Sequence, residues 1–117
     1  MGMTEDVESR LEQAGAWLLE PRALDEAILG CWTTPEGQVV ALYDYHGLIE
    51  HFRKEAEDPE SEDALFEAEE WISYNVMRAL PYLGAKAPWV VVDVDDLEEE
   101  EEEEVYFTWE GKRWRKV

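Results

Sequence analysis

The chain has 117 residues and carries 30 Asp plus Glu against 10 Lys plus Arg, a formal charge of −20 at pH 7. Phosphate is repelled by such a surface, which argues against nucleic acid and anionic membranes as direct partners and favours a basic protein. The length allows one domain, and 6 Trp in a chain that is 45% hydrophobic place the acidity on a folded body and not on a disordered tail.

Ten of the 30 acids lie in the block 93–104, so the remaining 20 against 10 Lys and Arg leave the body near −10. Met1 to Glu8 lacks a basic region followed by an apolar one, and no run reaches the roughly 18 apolar residues of a membrane span. Neither secretion nor membrane insertion is expected. The single Cys31, inside the apolar run 27–32, is expected to be a buried thiol in a reducing cytoplasm.

Thr4 is placed to cap a first helix, with Glu5, Asp6 and Glu8 near its positive end, Val7, Leu11 and Ala14 on one face, and Gly15 stopping it. The apolar run 16–20, closed by Pro21, reads as an edge strand or extended segment. Two apolar, partly β-branched runs at 27–33 and 38–44 flank Thr34-Pro35-Glu36-Gly37 and predict a hairpin. Asp44 is placed to cap a helix over 45–57, with Leu48, Ile49, Phe52 and Ala56 inward and His46, Glu50, Arg53 and Glu57 outward.

Residues 62–79 form the most periodic segment: Leu65, Ala68, Ile72, Val76 and Ala79 share a stripe, opposite Asp63, Glu67, Glu70 and Tyr74. Pro81 and Gly84 end that helix, and Trp89 to Val92 read as a buried strand. The run Glu98–Glu104 repels itself in any regular element and is expected to be a loop, followed by an aromatic and basic hairpin at 105–117. The prediction is an α+β domain over 1–97, then the poly-Glu loop 98–104 and the terminal hairpin. A small antiparallel sheet from 27–33, 38–44 and 88–94, with 16–20 and 105–117 as further candidate strands, packs on two main helices.

Catalytic and metal chemistry find little support. His46, His51 and Cys31 lack the spacing of a zinc site, and Asp93, Asp95 and Asp96 lack the glycine and terminal glutamate of an EF-hand loop. Ser9, Ser61, Ser73 and Cys31 carry no nucleophile motif, and no Gly-rich phosphate loop occurs. No metal, cofactor or enzymatic activity is expected.

The acidic stripe has a functional reading. Carboxylates three or four apart on a helix lie about 5–6 Å apart at Cβ, a row comparable to neighbouring backbone phosphates. Asp63, Glu67 and Glu70 make one such row with the aromatic Tyr74 in it, and Glu50 and Glu57 offer a second. A basic groove built for nucleic acid accepts such rows by the same electrostatics. The competing readings are a merely solvating surface, a self-associating structural protein and a small enzyme.

The sequence 19–30 (LEPRALDEAILG), Ala41-Leu42-Tyr43-Asp44, Glu70-Trp71-Ile72-Ser73-Tyr74-Asn75 and Ala87-Pro88 before an apolar strand resembles a group of small acidic proteins without assigned activity in phage and prophage genomes. The resemblance spans roughly 17–93 and omits the Glu run and the terminal hairpin. It implies a phage-type origin and a host cytoplasmic setting, with no functional residues to transfer. Acidic phage proteins of this size include inhibitors of restriction enzymes, CRISPR effectors and host polymerase, several of them DNA mimics, so the class-level expectation is a non-enzymatic inhibitor of a basic nucleic-acid-handling protein.

Overall fold

A computed structural model describes residues 5–19, 22–93, 106–109 and 111–117, without the side chains of Arg22 and Tyr106. The expectations for Thr4, Glu20, Pro21, Asp95, Asp96, Glu98–Glu104 and Glu110 lie outside the described residues.

The chain is α+β. Helix α1 (Glu5–Ala14) ends at Gly15, whose φ of 70° suits glycine, and a 3-10 turn follows at Arg22–Ala27. Strands β1 (Ile28–Thr33) and β2 (Val39–Asp44) form the expected hairpin. Its turn is closed by Thr34, whose N–H donates to the Gln38 carbonyl at 2.8 Å and whose Oγ1 accepts from the Gln38 N–H at 3.1 Å. Helices α2 (Tyr45–Lys54) and α3 (Glu62–Ile72) come next, then strands β3 (Trp89–Asp93), β4 (Tyr106–Trp109) and β5 (Lys112–Lys116).

The strand order is β1-β2-β3-β5-β4. Three neighbouring pairs are antiparallel, but β2 and β3 are parallel, so the sheet is mixed where the sequence suggested antiparallel. The reason is the connection: parallel neighbours require a long crossover, and 45–88, with both main helices, supplies it. The interior strands are buried on both faces, as Val40, Ala41, Leu42, Tyr43, Val90, Val91 and Val92 show.

On the helical side, Ala41, Tyr43 and Val90 meet Leu11, Leu24, Leu48, Ile49, Ala68, Ile72 and Val76, with Cys31 partly buried at the margin. Helix α3 turns Ala64, Ala68 and Ile72 inward, and Val76 just beyond its end continues this four-residue ladder. Leu65 and Ala79, expected on that stripe, are exposed. The ladder runs through Ala64 and so rotates Leu65 outward. Beyond Ile72 the α-helix passes into a π turn (Ser73–Met77), whose wider winding turns Ala79 off the core line, so the α-helix stops short of the expected residue 79.

The segment 16–19 pairs with no strand among the described residues. Its amides are satisfied otherwise: Leu19 N–H donates to the buried Tyr43 hydroxyl at 2.8 Å and Trp17 N–H to the Lys86 carbonyl at 3.2 Å. Helix α2 ends at Lys54, short of 57, where Arg53 Nε donates to the Pro59 carbonyl at 2.6 Å and fixes the turn into α3. Asp44 occupies the N-cap position of α2 without making a side-chain capping bond, whereas Ser61 caps α3 through the Ala64 N–H at 3.1 Å.

The second face of the sheet is covered by the sheet's own far end. Leu42, Val91 and Trp114 form its buried centre, with Leu29, Trp32, Trp89, Phe107 and Trp109 packed around them. Trp32 of β1 and Phe107 of β4, from opposite edges, stack with ring centroids 4.5 Å apart, so the sheet is strongly curled. Closure depends on Gly30, since a Cβ there would lie 2.7 Å from Cζ2 of Trp109.

Gly30→Ala is therefore expected to cost about 1–3 kcal/mol by overpacking. Denaturant unfolding in a double-mutant cycle with Trp109→Leu checks the cause: the cost should shrink when the indole is gone, and an undiminished cost would remove the indole from the explanation. On the helical face, Ile72→Ala is expected to cost about 2–5 kcal/mol, since it opens a cavity in the larger core.

Candidate functional site

The capping Ser61 and the inward ladder of α3 fix which side of that helix faces water. Asp63, Glu67, Glu70 and Tyr74 all fall on the exposed side, opposite Ala68 and Ile72. Among the described residues none of these three carboxylates makes an ion pair. Glu67, Glu70, Trp71, Tyr74 and Asn75 line an open depression of about 340 Å³.

Helix α3 carries Glu62, Asp63, Glu67, Glu69 and Glu70 and no basic residue. Glu62 and Asp63 suit the positive end of the helix dipole, whereas Glu69 and Glu70 stand mid-way along the helical run, which continues through the π turn Ser73–Met77 to Arg78. The dipole neither favours nor opposes charge at that position. The nearest cation along the chain, Arg78, lies over the Tyr74 ring at 5.4 Å from its centroid and marks the end of the row.

The second proposed row does not form on a helix. Glu50 is exposed on α2 but paired with Arg53 at 3.1 Å, and Glu57 lies past the end of α2 in the turn toward α3. Arg53 and Lys54 share a small depression with Glu50, so this surface has mixed charge.

Two features escaped the sequence reading. Phe66 is 62% exposed, as is Tyr74 at 60%, so two aromatics flank the acidic row. The signal for Phe66 was its offset from the inward ladder, which a stripe drawn through Leu65 hid. The other is a polar link under α2: the buried His51 donates from Nδ1 to Glu26 Oε2 at 2.5 Å, with Glu55 3.7 Å from Nε2. Lys54 Nζ is 3.9 Å from the other Glu26 oxygen. The bond from His51 and then the charge of Lys54 hold the Glu26 carboxyl below its ordinary 4.5. Between the helices, burial and then the charge of Glu69 push the Tyr45 phenol up.

A depressed carboxyl contributes stability that is fully present above its unfolded value near 4.5 and is lost as pH falls through the folded value. The stability gap between wild type and Glu26→Gln should therefore be open at neutral pH and close below about pH 4.5. A gap that stays constant from about pH 6 to about pH 3 in urea titrations would contradict the link.

Among the described residues no three His, Cys, Asp or Glu side chains converge on a metal-binding position, and no helix is long and apolar enough to cross a membrane. In comparisons with protein-family models, curated proteins and solved structures the chain has no match, so the geometry and charge of α3 carry the functional reading.

Proposed function

We propose that the protein is a non-enzymatic binding protein whose acidic α3 face docks on a basic, nucleic-acid-handling protein and excludes nucleic acid from it. The observation that carries this reading is the exposed row Asp63, Glu67 and Glu70 on α3, none of which makes an ion pair among the described residues. A row of charge on Asp63, Glu67 and Glu70 beside two exposed aromatics suits a complementary basic surface. Resemblance of 17–93 to phage-borne acidic proteins directs the choice of partner to a host or defence protein that binds DNA or RNA, in the host cytoplasm. Asp63, Glu67, Glu70 and Tyr74 are the proposed contacts, with Glu50 and Glu57 at the margin.

The test is capture of partners from a bacterial lysate at low and high salt, with DNA and RNA as competitors. Binding should weaken steeply with salt and be displaced by nucleic acid, because screening and phosphate act on the same contacts. The triple reversal Asp63→Lys, Glu67→Lys and Glu70→Lys should weaken binding by about tenfold or more at low salt while leaving the unfolding midpoint near that of wild type. Salt-insensitive capture, or undiminished binding by the triple variant, would show that α3 is only a solvated face. A salt-independent oligomer in sedimentation, with no captured partner, would favour a self-associating structural role instead.

A further inference from the structure

A second concave region lies away from the outward face of α3, at the carboxyl ends of the parallel strands β2 and β3 and beside the first turn of α2. Its volume is about 510 Å³, within the range that holds small ligands. Ligands of α/β sheets commonly sit in the crevice outside the carboxyl ends of parallel strands. Asp44, His46, Asp93, Lys112, Trp109 and Trp114 supply its chemistry.

The cleft is held open by several unrelated devices. A β-bulge between Ile28 and Gly30 inserts Leu29 into its wall. Gly47 brings α2 so close to the preceding turn that a Cβ would lie 3.2 Å from that of Ala27. Trp109 rests on Gly30, and its carbonyl accepts the Trp114 indole N–H at 3.1 Å.

The Asp93 carboxylate points to the ligand class. Asp93 is only 8% exposed, and Lys112 Nζ lies 3.3 Å from its Oδ2. The lysine side chain is 60% exposed and the aspartate side chain 11%, so the ammonium reaches a buried carboxylate from the solvent side on a flexible stem. That ammonium already occupies the position of a bound cation, in a cleft that Trp109 and Trp114 also line. We propose that this cleft binds an organic cation, an ammonium or guanidinium on a flat or apolar body, which displaces Lys112 from Asp93. A guanidinium pairs with a carboxylate through two hydrogen bonds and stacks on indole, so it suits these walls best. Asp44 adds a second carboxylate and makes anions poor competitors. Glu26 at the rim is engaged by His51 and Lys54. This site is independent of the α3 reading and stands or falls separately.

The test uses the full chain, titrated with agmatine, with an amide-capped Gly-Arg-Gly peptide and with phenylacetate as the anionic control, while the indole N–H resonances are followed by NMR. The Trp109 resonance should move saturably with at least one of the two cations and not with phenylacetate. Agmatine alone would mark a free small cation as the ligand, and the peptide alone an arginine side chain of a partner. Asp93→Asn should weaken binding about tenfold or more, the loss of one charge-assisted hydrogen bond. Lys112→Met should strengthen binding, because it removes the internal competitor; a merely structural ion pair would not give that sign. If Asp93→Asn fails to fold, Asp44→Asn takes its place, and an unchanged affinity there counts against the site. No response to either cation, an equal response to phenylacetate, or weaker binding by Lys112→Met would overturn the proposal.

Discussion

Parallel pairing of β2 with β3 is the constraint on which the rest of the architecture depends. A parallel neighbour cannot be reached by a tight turn, so the whole of 45–88 leaves the sheet, builds α2 and α3 and returns. Both main helices consequently lie on one face, where the ladder Ala64, Ala68, Ile72 and Val76 and the pair Leu48 and Ile49 bury the inward side chains of the interior strands. The pairing also sets Asp44 and Asp93 at the same end of the sheet, beside the start of α2, although they lie far apart in the chain.

With the helices committed to one face, the other must be covered differently. The sheet does this by curling until its outer strands meet through aromatic rings, Trp32 on Phe107 and Trp109 on Gly30. Large rings supply much apolar area per residue, which lets a five-stranded sheet form a second core without a third layer. The β4–β5 hairpin is thus part of the sheet through the pairing of β5 with β3. Lys112 and Lys116 are not simply a basic tail: one meets Asp93 and the other lies over the Trp89 ring at 4.2 Å.

Charge is divided accordingly. Among the described residues Asp63, Glu67 and Glu70 of α3 face water without an ion pair, while Asp93 at the end of β3 is engaged by Lys112, and Glu26 by His51 and Lys54. Self-repulsion of a chain at −20 opposes compaction, and the two buried apolar layers are what offset it. Folding by apolar burial leaves the surface free to hold an unbalanced charge, and the two proposed sites draw on it in different ways: α3 as an extended exposed row, the cleft as a buried carboxylate met by Lys112.

Local patterning by itself determined the α+β class, the hairpin at 28–44, both main helices and the outward side of α3, because apolar periodicity and turn residues act within a few positions of one another. It misplaced Leu65 and Ala79, since the choice between neighbouring helical stripes is made by the sheet beneath them, and it left 16–20 open between an edge strand and an extended segment, of which 16–19 is the latter, with amides bonded to Tyr43 and Lys86. Tertiary structure alone decided the parallel pairing, the curl closed over Gly30, the contact of Glu26 with His51 and the meeting of Asp44, Asp93, Lys112 and Trp109 in one cleft. Each of these joins residues distant in the chain, and such contacts leave no periodic trace in the sequence because their geometry exists only once both cores have formed.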